Sequence, residues 1–152
     1  MIDTLVPGVT YGFKVSSRNE FGYSDDSVPF YLLCATVPDP PTAPSTVTVA
    51  SDITVSWVEP KNNGSPITAY KVYLRSESGS YIEETNYCES SSTMVTGKSC
   101  TMPLLTLIEA PYSLSLGDSV YAKVIAVNFY GQGIFSSAGN GATCVLVPSA
   151  PI

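Results

Sequence analysis

Apolar and polar residues alternate along much of this chain with a period of two, the period that sends successive side chains to opposite faces of a β-strand. Ile53, Val55 and Trp57 share one face of a strand predicted over 53–57, and a shorter strand is predicted just before it at Val47, Thr48 and Val49. Further strands are predicted over 67–74, weakly at Tyr81 and Ile82, over 100–107, over 119–128 and over 142–147. Between them, residues 59–66 carry loop chemistry in Pro60, Asn62, Asn63, Gly64 and Pro66, and residues 89–99 are rich in serine and threonine. No segment shows the 3.6-residue period of a helix, so the expected fold is all-β and antiparallel.

The pattern also repeats over a longer distance. Gly8, Lys14, Val15, Asn19 and Gly22 align with Gly117, Lys123, Val124, Asn128 and Gly131, and Cys34 and Pro38 align with Cys144 and Pro148 after one residue of slippage. The spacing is that of one β-sandwich domain. The expected organisation is therefore the last two strands of one domain in 1–37, a complete domain in 38–147, and the start of a next repeat in 148–152. Pro38, Pro40, Pro41 and Pro44 at the first joint, and Pro148 and Pro151 at the second, favour extended backbone and make short stiff spacers. A two-stranded hairpin is marginal in water, so the apolar face carrying Tyr11, Phe13, Val15 and residues 30–33 needs a partner sheet. Either preceding polypeptide or a neighbouring subunit supplies it, and covalent continuation is the simpler account.

Length and composition narrow the reading. The 152 residues suffice for one core and a remainder, and with 44% hydrophobic but only 13% charged residues the chain is expected to fold and not to form long solvated helices. The net charge is −6, and the basic residues Lys14, Arg18, Lys61, Lys71, Arg75, Lys98 and Lys123 are scattered, which leaves no patch to neutralise a run of phosphates. Nucleic acid is not an expected partner. The longest apolar stretch, 121–127, is interrupted by Lys123 and falls short of the ~20 residues that span a bilayer. Four cysteines in an acidic, Ser/Thr-rich chain suit an oxidising compartment, which implies a secreted or cell-surface protein. Ile2, Asp3 and Thr4 after Met1 do not start a signal peptide, so any such signal is expected outside this sequence.

Trp57, then Pro60, then Asn63-Gly64-Ser65-Pro66-Ile67 and Tyr70-Lys71-Val72-Tyr73, resembles the second and third strands of fibronectin type III domains. Leu5, Pro7, Gly8, Tyr11, Val15, Asn19 and Gly22 resemble the corner and sixth strand of the same family, including its tyrosine corner. The resemblance implies an immunoglobulin-like antiparallel β-sandwich, in tandem, with Trp57, Tyr70, Tyr11, Val15 and Val124 as core anchors. Two departures stand out: the tyrosine-corner position of the complete domain is Val120, with Tyr121 one place on, and the segment 86–100 is long and holds an unusual cysteine pair. Residues 117–124 and 139–142 resemble domains repeated in large surface proteins of unicellular eukaryotes, which implies location more than activity.

Candidate chemistry is sparse. The absence of histidine removes the commonest general base and metal ligand. Glu83 with Glu84 and Asp25 with Asp26 are adjacent pairs that would point to opposite faces of a strand, so both are expected as solvated edges or loops. Cys88 and Cys100 flank the Ser/Thr-rich connection, and a disulfide there would be worth ~3 kcal/mol in the chain-entropy model. The zinc alternative lacks ligands for a closed tetrahedral shell. Cys34 and Cys144 are read either as small buried apolar residues or as partners of cysteines elsewhere. Asn63-Gly64-Ser65 is an N-glycosylation acceptor in a predicted loop, although Asn-Gly is equally a turn and Pro66 hinders transfer. Ser90, Ser91, Ser92 and Thr93 are candidate O-glycan carriers or merely a solvated loop. Tyr70, Tyr73, Tyr81 and Tyr87 either form a recognition surface or divide between core and domain contacts.

No cofactor, metal or catalytic residue is expected. The first functional expectation is a non-catalytic structural repeat of an extracellular stalk, sheath or filament, glycosylated, with neighbouring copies or repeats met head to tail as partners. The alternatives are a ligand-binding or adhesion ectodomain and an accessory module of a secreted hydrolase.

Overall fold

The alternating segments fold as strands in the computed structural model, which describes residues 4–145. The end of the strand expected over 142–147 and the joint at 148–152 lie outside the described residues. At the N-terminal end, β1 (Thr10–Phe13), β2 (Arg18–Asn19), β3 (Gly22–Tyr23) and β4 (Phe30–Leu33) make a long hairpin. Thr10 pairs with Leu33 and Phe13 with Phe30, and Asn19 pairs with Gly22 at the tip. The tip turn closes through Phe21, whose N–H donates to Asn19 Oδ1 at 2.9 Å, and through Gly22, whose φ of +136° excludes most side chains.

Seven further strands and two short helices follow. They are β5 (Ser45–Val49), β6 (Asp52–Ser56), β7 (Ile67–Arg75), β8 (Tyr81–Glu83), α1 (Ser92–Gly97), β9 (Ser99–Pro103), α2 (Leu104–Ile108), β10 (Ala122–Asn128) and β11 (Gly131–Gln132). One sheet has the order β5-β6-β9 and the other β11-β10-β7-β8, and every pairing is antiparallel. Residues 139–144 then run back along the start of β10, bridging Ala122 to Gly139 and Ser119 to Thr143. The hydroxyl of Thr46 ties this last segment to β5, donating to the Val120 carbonyl at 3.0 Å and accepting from the Ala142 N–H at 2.9 Å.

The period-two pattern has its expected effect. Ile53, Val55 and Trp57 face inward from the first sheet and Tyr70, Val72, Leu74, Ala122, Val124 and Ala126 from the second, giving one core to which Cys100, Met102, Leu104 and Leu107 contribute. The indole of Trp57 lies against the Tyr70 ring, centroids 5.1 Å apart and tilted by 59°. Trp57, Tyr70 and Val124 are thus buried core residues.

The structure corrects the expected elements after Pro103 and after Cys88. The strand expected over 100–107 ends at Pro103, and the apolar run after it coils into α2, with Leu104 and Leu107 buried one turn apart. A short apolar run does not distinguish a strand from a buried helical turn. The connection after Cys88 contains α1, capped by Ser91, whose Oγ accepts from the Met94 N–H at 3.2 Å, and closed by Lys98 in the left-handed region at φ 53°. Only Met94 of that helix is buried, so no amphipathic period was visible.

Burial pushes the Tyr70 phenol from 10.0 up to about 12, and the charge of Glu59 adds to the shift. Trp57 Nε1 is near enough to oppose it but lies outside hydrogen-bonding geometry, and neither polar atom has a protein partner. Trp57→Ala is expected to cost about 3–5 kcal/mol by chemical denaturation, and an unchanged midpoint would refute the central place given to this residue. A raised phenol pKa favours the neutral, folded form. Its contribution is complete below pH 10.0 and is lost as the pH rises towards about 12. Tyr70→Phe should therefore change stability at neutral pH by less than about 1 kcal/mol and flatten the alkaline loss, which pH-dependent unfolding curves would read.

Candidate functional site

The candidate residues fall into three groups: the cysteine-bounded connection, the loop at Asn63, and the tyrosines. Cys88 and Cys100 are joined as a disulfide with Cα atoms 5.4 Å apart, and both are buried. The bridge ties the chain leaving β8 to β9, so that α1 hangs between two fixed ends. Within the serine tract, Ser90 Oγ donates to the Tyr70 carbonyl at 2.6 Å and Ser91 caps α1. Ser92 and Thr93 are exposed at the start of α1. Of the four O-glycan candidates, two hydroxyls are therefore engaged in holding the backbone. Cys34 is half-buried and Cys144 fully buried, both as free thiols. Burial, with Asp118 as a lesser cause, pushes the Cys144 thiol up.

Asn63, expected as an N-glycosylation acceptor, has its side chain engaged in the fold. It occupies the left-handed region at φ 52°, and its Nδ2 donates to the Val37 carbonyl and to Asp39 Oδ1, each at 2.9 Å. A glycan must replace one of those two hydrogens, and the folded chain uses both.

The tyrosine corner of the hairpin is present: the Tyr11 hydroxyl, on a half-buried ring, accepts from the Val6 N–H at 2.7 Å. Val15, expected as a core anchor, lies outside the core of the sandwich. It is 73% exposed, because among the described residues no second sheet covers that face of the hairpin. In the sandwich the corner position holds the buried Val120, and the Tyr121 ring lies under the Arg75 guanidinium at 5.4 Å. The four tyrosines considered as a surface separate. Tyr70 is in the core, Tyr87 is largely exposed, and Tyr73 and Tyr81 share the outer face of the β7–β8–β10 sheet. There the Tyr73 hydroxyl donates to Glu83 at 2.9 Å, Lys71 pairs with Glu83 at 3.2 Å, and Lys123 Nζ sits 4.4 Å from the Tyr81 centroid.

Glu84 overturns the reading of its pair as solvated edge. It is only 2% exposed. One carboxylate oxygen accepts from the backbone N–H groups of Asn86 at 2.8 Å and Tyr87 at 3.2 Å, and the other accepts from the Tyr112 hydroxyl at 2.7 Å. Burial, then the hydrogen bond to Glu84 and its charge, push the Tyr112 phenol far up, so it stays a donor. The pair borders an open cleft of about 320 Å³ also lined by Asn86, Tyr87 and Pro111. A carboxylate saturated by donors in this way serves to hold two loops together. Sequence reasoning missed this pair because its partners are 28 residues apart and meet only in the fold.

A three-stranded and a four-stranded antiparallel sheet closed over a central tryptophan define an immunoglobulin-like β-sandwich module. No family model matches the chain. It is 28% identical over 152 residues to fibronectin type-III domain-containing protein 3A of Mus musculus, covering 99% of this chain and 11% of that protein. Over 104 residues, 67% of this chain, it is 34% identical to the human cell adhesion molecule-related/down-regulated by oncogenes, of which it covers 7%. The crystal structure of domains A168-A170 from titin matches with TM-score 0.52 and 24% identity, covering 82% of this chain and 37% of that one. The chain belongs to the fibronectin type III domain family.

Tyr112→Phe leaves one oxygen of a buried carboxylate without its donor. It is expected to destabilise the sandwich by about 1–3 kcal/mol, and denaturation in which Tyr112→Phe matches the parent protein would show that the pair contributes nothing.

Proposed function

We propose that the chain is a non-catalytic structural module of an extracellular stalk, sheath or filament in which fibronectin type III domains follow one another head to tail. The observation that carries this reading is the hairpin of β1 and β4. On the face that also carries Tyr11 and Phe13, Phe30 and Leu32 are 65% and 51% exposed, although the two strands pair as strands of a sandwich do. The hairpin also repeats, residue for residue at Lys14, Val15, Asn19 and Gly22, the pattern of β10 and its turn. In this reading residues 1–37 carry the last two strands of a preceding domain, 38–147 a complete one, and 148–152 the start of the next. The missing sheet is supplied by preceding polypeptide or by a neighbouring copy. The disulfide between Cys88 and Cys100 supports an oxidising, extracellular setting. Ser92 and Thr93 are the positions left for O-linked glycan.

A ligand-binding or adhesion role is the second reading. It is favoured by the exposed Phe129 and Tyr130 at the turn after β10, 87% and 55% accessible, and by the relative whose name refers to cell adhesion.

Small-angle scattering or electron microscopy of the native protein is expected to show an elongated particle that grows by several nanometres per domain. A compact, monodisperse 16.1 kDa monomer would overturn the array and put the adhesion reading first.

A further inference from the structure

The segment leaving β4 does not cross to the sandwich as a free tether. Residues 36–39 lie along the loop between β6 and β7: the Thr36 N–H donates to the Asn63 carbonyl at 3.2 Å, and the Asp39 N–H to the Lys61 carbonyl at 3.0 Å. Asn63 Nδ2 returns the contact through Val37 and Asp39. Both of its amide bonds go to the connecting segment.

Asn128 completes the arrangement at the rim, where the register of β10 on β7 slips between Val127 and Asn128. It is a buried asparagine whose Oδ1 accepts from the Tyr130 N–H at 2.9 Å, which orients the amide. Its Nδ2 then faces three carbonyls, Thr36 at 2.7 Å, Asn62 at 3.1 Å and Ser65 at 3.4 Å, with two hydrogens shared among them. One side chain thereby joins the segment from the hairpin to the loop of the sandwich. Aspartate would keep the bond to Tyr130 but set a carboxylate against three carbonyl oxygens.

Two glycines allow the approach. A Cβ on Gly64, whose φ is +87°, would lie 2.8 Å from the Cys34 carbonyl oxygen, and one on Gly133 would lie 2.5 Å from that of Pro38. These are backbone-to-backbone contacts that no rotamer change relieves.

We infer that Asn63 and Asn128 form an orientation lock that holds the hairpin at a set angle to the sandwich by binding the backbone of residues 36–39. Apart from Asp39, the lock reads main-chain groups, so it tolerates other side chains in the connecting segment. Asn19 and Gly22 occupy the positions equivalent to Asn128 and Gly131, and Phe21 donates to Asn19 Oδ1 at the same 2.9 Å as Tyr130 does to Asn128. The hairpin tip thus presents the same oriented amide to a preceding segment of this kind. That extension alone rests on the tandem reading; the lock itself does not.

Residual dipolar couplings of the weakly aligned, ¹⁵N-labelled 152-residue chain test it. In the parent protein, couplings from residues 8–34 and 45–145 are expected to fit a single alignment tensor. In Asn63→Ala and Gly64→Ala the hairpin couplings should fall towards zero while the sandwich keeps its tensor, and Asn128→Asp should do the same more completely. A purely structural role would lower the unfolding midpoint of the sandwich without releasing the hairpin. Should Asn128→Asp fail to fold, Asn63→Ala decides, since its side chain bonds only to the connecting segment. A single tensor retained in Asn63→Ala and Gly64→Ala, or hairpin couplings already averaged out in the parent, would overturn the lock. Neither result depends on whether scattering finds an array.

Discussion

The contact between Trp57 and Tyr70 joins the inner faces of two sheets that would be marginal alone, and the surrounding structure is arranged to keep it dry. Ile53 and Val55 share the inner face of its own sheet with the indole, Val72 and Ala126 neighbour Tyr70 on the inner face of the other, and the disulfide half at Cys100 pairs with Val55 across β6 and β9. The Tyr70 carbonyl receives the Ser90 hydroxyl, so even the serine-rich connection is anchored to the strand that carries this ring. Neither polar atom of the pair has a protein partner, a cost that the burial of two large aromatic surfaces outweighs.

Polar side chains in this molecule act mainly on its own backbone. Glu84 gathers two N–H groups and a phenol, Ser91 caps a helix, Thr46 ties the last segment to β5, and Asn63 and Asn128 hold the connecting segment. A carboxylate, hydroxyl or amide saturated in this way is a poor acid, nucleophile or glycan acceptor, because each chemistry needs an atom that the fold already uses. The same saturation makes these residues good positioning devices, which is what a structural module requires.

Similarity to proteins of which this chain spans about a tenth places it within a family of modules and leaves the role of the whole protein to architecture. Two surfaces are free to serve such a role. One is the apolar face of the hairpin around Phe30 and Leu32, and the other is the aromatic turn at Phe129 and Tyr130. The first has the pattern of a sheet awaiting its partner layer, the second that of an exposed contact point at the end of a domain.

The fold class was legible in the chain because it depends on local alternation: Ile53, Val55 and Trp57, or Tyr70, Val72 and Leu74, declare their common face without reference to anything distant. The central tryptophan and the tyrosine corner at Tyr11 were equally readable, since each is a short pattern with one structural solution. The two helical turns were not, because Leu104 to Ile108 is too short for a period and only Met94 of α1 is buried. Burial of Glu84, exposure of Val15 and the use of Asn63 were decided by tertiary structure alone. A carboxylate goes inside only if distant donors such as Tyr112 arrive there, and a valine stays outside if no second sheet covers it. An asparagine likewise serves as glycan acceptor or clamp according to whether acceptors on another segment are brought to 2.9 Å from its amide. Local pattern decides the faces of strands; long-range proximity decides what polar atoms do.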